Sequence, residues 1–247
     1  MDGLALDLCL QQELDALEQT KRTCQLAVVE VCCAEFSSFR NACEYSRIPY
    51  IGIMSGMQTS GTFSKVRQCV REWKQRGLWV HVHASIPCTS GSPLNNFRSD
   101  PSVMTAAQQE WPELIHAVSR YLNLGDDASF ELPLHNSNWT KPETQKMITD
   151  CQLRFQTSVR LCRFGVTSRS QTLVGKELRF QCFSQAFATY LSKFSTCDHT
   201  EHAVLSDIAY TATGFYNKKL ARTLVDAVRY ARKLALSEAT QQCGSRS

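Results

Sequence analysis

Several segments of the chain end in residues whose types suit chemistry. The apolar run from Leu26 closes on Glu30-Val31-Cys32-Cys33-Ala34-Glu35. A second closes on Gly52-Ile53, a third on Ser85-Ile86-Pro87-Cys88-Thr89 and a fourth on Phe130-Glu131-Leu132-Pro133. A thiol such as Cys88 becomes a nucleophile when its proton is drawn off by a base or by nearby positive charge. Polar groups at the ends of apolar strands are costly to bury, so four such ends together point to a site. A further cluster, Cys197-Asp198-His199-Thr200-Glu201-His202, sets three metal-ligating side chains within six residues. Zinc favours such sets of Cys and His, and Cys182 is the expected fourth ligand.

The elements that must position these residues follow from hydrophobic periodicity. Residues 1–22 read as an amphipathic helix. Residues 26–33, 48–53, 78–84 and 128–132 read as strands, separated by helices at 35–46, 63–76 and 103–124. A helix at 141–151 follows. Residues 154–164 and 177–183 read as a hairpin, then come helices at 184–194 and 217–237. Strands alternating with helices imply a parallel sheet. The expected fold class is α/β, a Rossmann-like and mostly parallel sheet flanked by helices, with a C-terminal hairpin and helix. The expected division is a helix at 1–22, an α/β domain at 23–195, and a loop, helix and disordered tail at 196–247. In such sheets ligands bind beyond the carboxyl ends of the strands. His81 and His83 alternate with apolar residues and read as the polar side of their strand.

Composition narrows the class. The chain has 247 residues, 43% hydrophobic and 20% charged, as in globular domains rather than disordered ones. Its apolar runs fall short of the ~20 residues of a membrane span. The first 20 residues are acidic and amphipathic, unlike a secretory signal. The 12 cysteines therefore read as reduced thiols of an intracellular protein, in cytoplasm or nucleus. Net charge is only +4, yet basic residues gather at 154–179 and 218–233, where they would suit the phosphates of DNA or RNA.

The order of these motifs resembles the S-adenosylmethionine-dependent methyltransferases, and within them the cytosine-C5 DNA methyltransferases. The resemblance spans residues 25–165 and rests on Glu30 with Cys32 to Glu35, then Pro87-Cys88, then Glu131. It implies that Glu30, Cys32, Cys33, Ala34, Glu35, Gly52 and Pro87 line a cofactor site for S-adenosylmethionine. It implies Cys88 as the nucleophile that attacks a base and Glu131 as the acid that contacts the ring. The base would have to leave its stack. A looser likeness is to methylase-like domains of retroelement polyproteins. The sequence departs from the family in four places, one being the Gln-x-Arg-x-Arg strand, for which Arg160-Leu161-Cys162-Arg163 is a poor substitute. The turn 33–37 holds no glycine, the second strand ends without an acid, and one βα unit is missing between Ile53 and Leu78. The alternative to an enzyme is a non-catalytic nucleic-acid-binding or scaffold protein of a viral or mobile element. A third reading, a hydrolase pairing Cys88 with His81 or His83, needs an imidazole within reach of the thiol.

Overall fold

The structure is a computed structural model that describes residues 25–54, 56, 59–86, 91, 101–203 and 216–244. The helix expected at 1–22 lies outside the described residues, as do Pro87 and Cys88. Six strands form one sheet: β1 (Leu26–Cys33), β2 (Tyr50–Met54), β3 (Trp79–Ser85), β4 (Asp127–Pro133), β5 (Phe155–Arg160) and β6 (Glu177–Cys182). Their spatial order is β2-β1-β3-β4-β6-β5. The first four strands are parallel. Strand β6 runs against both β4 and β5. The fold is therefore α/β and Rossmann-like, as the alternation of strands and helices implies.

Local sequence explains the elements. Every residue of β1 is buried, which suits a run rich in β-branched valine at the centre of a parallel sheet. Helix α1 (Ser38–Tyr45) starts where the Ser37 hydroxyl accepts from the amides of Phe39 and Arg40, satisfying donors that the first turn leaves open. Helix α2 (Ser60–Gln75) is capped by Thr59 in the same way and buries Phe63, Val66, Val70 and Trp73. Gly77 follows with φ +81°, the left-handed step that commonly ends a helix. The single helix expected at 103–124 is two, α3 (Pro101–Gln109) and α4 (Trp111–Leu122). Pro112 has no N–H to give Gln108, so a running helix breaks there and a new one begins.

Two cores sandwich the sheet. On one side Val29, Val31, Val80, Val82, Ala84, Phe130 and Leu132 meet α2, α4 and α5 (Pro142–Asp150). On the other, Leu26, Val28, Phe180 and Cys182 meet α1, α6 (Gln185–Ser192) and α7 (Lys218–Gly244). Helix α7 buries Leu220, Leu224 and Val228 in that second core. The last helix completes the layer that covers β1. Helix α7 also runs on to Gly244, where a disordered tail was expected. Among the described residues no helix is long and apolar enough to cross a membrane.

Candidate functional site at the carboxyl edge of the sheet

The chain passes from β1 to β2 on one side and returns to β3 on the other, so the strand order reverses between β1 and β3. This is the point at which open α/β sheets take ligands. The registers place the expected site residues on neighbouring strands at this edge. Glu30 lies opposite His83 on β3, His83 opposite Ser129 on β4, and Ser85 opposite Glu131. Because side chains alternate along a strand, Glu30, His81, His83, Ser85, Asp127, Ser129 and Glu131 share one face of the sheet.

That face carries a continuous string of hydrogen bonds. Asp127 Oδ2 is 2.9 Å from His81 Nδ1, and His81 Nε2 is 3.0 Å from Ser129 Oγ. Ser129 Oγ is 2.8 Å from His83 Nδ1, and His83 Nε2 is 2.8 Å from the Tyr216 hydroxyl. Tyr216 lies 2.9 Å from Glu131 Oε2, which also accepts from the Ser85 hydroxyl at 2.8 Å. His81, His83 and Ser129 are wholly buried. The two histidines are therefore not on a solvated side of the strand. Burial in this layer is tolerable because each polar side-chain atom of the string other than Asp127 Oδ1 has a partner. His81 stacks on Phe187, with ring centroids 4.9 Å apart, and His83 stacks on Phe180 at 6.0 Å. Burial, then the charge of His81, pushes the His83 imidazole down to about 3, so it stays neutral at ordinary pH. Burial pushes the Glu131 carboxyl up, against the lowering effect of Ser85, Lys176 and Tyr216. Both nitrogens of each imidazole are engaged within the string.

Glu30 sits beside this string in a pocket of its own. It accepts from the hydroxyls of Ser37 at 2.6 Å and Tyr50 at 2.5 Å, and burial raises its carboxyl above the usual range. The Cys33 thiol is pushed up to about 11 by burial and then by the Glu30 charge. A Cβ on Gly52 would meet Cys33 Sγ and Tyr50 Oη, each at 2.9 Å. Gly52 is thus the space into which Tyr50 and Cys33 pack. Cys32 faces the opposite core with φ +62°. Of the residues expected around a cofactor, Glu30, Cys32 and Cys33 are internal, whereas Ala34 is half-buried and Glu35 lies exposed at the turn beyond β1.

The chain leaves β3 at Ile86 and is next described at Gly91, which is buried against the end of β4. The Gly91 carbonyl accepts from the Ser137 amide at 2.9 Å. A Cβ there would run into Asn136 Oδ1 and meet the Asn138 side-chain amide at 2.7 Å. Gly91 is thereby fixed against the turn that follows β4.

The Cys-His cluster forms, but with a different fourth member. Ligand atoms of Cys162, Cys197, His199 and His202 all lie within 4.8 Å of one another. Cys182 instead faces the second core on β6, opposite Ser129 and Phe155. Cys162 lies in the short 3-10 turn Leu161–Phe164 that follows β5. The Arg160 guanidinium and then His199 hold the Cys197 thiol down at about 6, while burial holds Cys162 up at about 11.

Some residues of the basic stretches are engaged within the fold. Arg160 pairs with Glu177 at 2.7 Å, and Arg179 lies over the Trp139 ring at 4.4 Å. Arg222 lies over Tyr45, and Arg229 pairs with Asp226.

Sequence reasoning missed Asp127, Ser129, Tyr216 and Cys162. A signal existed for the first two: Asp127, Ser129 and Glu131 alternate in step with His81, His83 and Ser85. Tyr216 has no local signal. Comparison of the chain with models of known families, with curated proteins and with solved structures finds no match.

Proposed function

We propose that this chain is a methyltransferase-like domain that takes S-adenosylmethionine at the carboxyl edge of β1 and β3 and acts on DNA or RNA. The observation that carries the reading is the register of Ser85 with Glu131 and of Glu30 with His83. It sets β1, β3 and β4 side by side and parallel where the sheet order reverses, with Glu30 on the first, Glu131 on the last, and Pro87-Cys88 following β3 in the sequence. In this reading the Cys88 thiolate attacks the ring of an extruded base. The Glu131 carboxyl, kept neutral by burial, holds a ring nitrogen by donating a hydrogen bond. S-adenosylmethionine would supply the methyl group and leave as S-adenosylhomocysteine, and loss of the ring proton from the methylated carbon would release the Cys88 thiolate.

Three features favour a second reading, a relative that keeps the fold and binds nucleic acid or a scaffold partner without catalysis. Glu30 is engaged by Ser37 and Tyr50, the turn 33–37 holds no glycine, and β2 closes on Ile53-Met54 with no acid for ribose hydroxyls.

Calorimetric titration with S-adenosylmethionine, together with transfer of labelled methyl to DNA and RNA, tests the first reading. Binding plus transfer that Cys88→Ser abolishes is the expected result. No heat and no transfer removes the activity. Nucleic-acid binding that weakens steeply with salt and is unchanged in Cys88→Ser then supports the second reading.

A further inference from the structure

We propose that Cys162, Cys197, His199 and His202 bind one zinc ion, which clamps the strap 195–203 onto the β5–β6 end of the sheet. Two thiolates and two imidazoles around a tetrahedral zinc stand about 3.3–3.8 Å apart, given Zn–S of ~2.3 Å and Zn–N of ~2.0–2.1 Å. The four ligand atoms already lie within 4.8 Å of one another, and Cys197 Sγ is 3.5 Å from His202 Nε2. Small side-chain rotations close the set.

The surroundings fit a built site. Three ligands come from one loop, as Cys-x-His-x-x-His, and the fourth comes from the turn after β5. Arg160, which ends β5, ties the two together. Its amide donates to the Phe194 carbonyl at 3.0 Å, and its guanidinium reaches Cys197 Sγ at 3.6 Å and Glu177 at 2.7 Å. Such outer partners orient metal ligands. On the far side a Cβ on Gly175 would meet the His202 ring at 2.8 Å, so glycine is what admits the imidazole. The Ala203 amide donates to the Leu173 carbonyl at 2.8 Å and fixes the exit of the loop.

The donor set selects the metal and its role. Thiolate and imidazole favour zinc over magnesium or calcium, which prefer oxygen. Four protein donors fill a tetrahedron and leave no place for a reacting water, so the ion is structural. The clamp is independent of the methyltransferase reading.

The test uses the full chain, purified under reducing conditions without chelator, with metal content measured by elemental analysis and cobalt(II) as a spectroscopic replacement. The expected result is about one zinc per chain, and tetrahedral visible bands with a thiolate charge-transfer band for cobalt. Cys162→Ser and His199→Asn should each lower metal affinity at least about tenfold, while Cys182→Ser keeps it. His199 is exposed, so metal loss in His199→Asn with an unchanged circular-dichroism spectrum separates ligand removal from misfolding. Wild-type chain without zinc, metal retained in both ligand variants, or a Cys162–Cys197 disulfide in the native protein would each overturn the site.

Discussion

The Tyr216 hydroxyl stands 2.8 Å from His83 Nε2, although 133 positions separate the two residues. Tyr216 precedes helix α7, so this contact fastens the C-terminal layer to the middle of the sheet. Tyr216→Phe keeps the ring and removes the oxygen shared by His83 and Glu131. Leaving buried polar groups without that partner costs about 1–3 kcal/mol. A lower urea midpoint with an unchanged slope is the expected outcome.

Two buried groups should give stability opposite trends with pH. The His83 imidazole takes a proton only near pH 3 in the folded chain, against about 6.5 when unfolded. Between those values the unfolded state binds more protons. Stability therefore falls as pH drops from about 6.5, by up to about 1.4 kcal/mol per pH unit. The Glu131 carboxyl is raised in the folded chain, so there the folded state binds more protons. Its contribution is full below about pH 4.3 and is lost as pH rises through the folded value. In urea titrations across pH, Glu131→Gln should gain on the wild type as pH rises through that window. His83→Asn should gain on it as pH falls below about 6.5. Parallel curves for wild type and variants would contradict both assignments.

Ser37 serves twice, as the cap of α1 and as a donor to Glu30. Ser37→Ala loses a cap, worth about 1 kcal/mol, and removes one of two hydroxyls from a buried carboxyl. The expected loss is about 1–3 kcal/mol. Ser184→Ala, which removes only a cap on α6, is the control and should cost less.

Gly91→Ala should disturb the candidate site locally. The added methyl meets Asn136 and Asn138, so the crossing from β3 to β4 must shift. Faster hydrogen exchange at the Ser137 amide, which donates to Gly91, is the direct readout. Any S-adenosylmethionine binding should weaken in the same variant.

The strands β1 to β4 were legible because each is a short apolar run bounded by a turn or a breaker. The burial of His81 and His83 was not. Their alternation looks the same whether the polar face meets water or another polar row, and only the register with β4 brings Asp127 and Ser129 opposite them. The exchange of Cys182 for Cys162 has a similar cause. Both lie in apolar segments, but Cys182 continues the inward alternation of Leu178 and Phe180, whereas Cys162 sits where β5 tightens into a 3-10 turn. Nothing in the local sequence shows that Gly91 fits against Asn136.

The string from Asp127 to Glu131 contains only groups that can both give and take a proton, closed at each end by a carboxyl. It can therefore be oriented in two ways. The orientation chosen by one donor fixes that of its neighbours, so the two carboxyls at opposite ends of β4 are joined by a single path of hydrogen bonds that crosses to β3 and back through Tyr216.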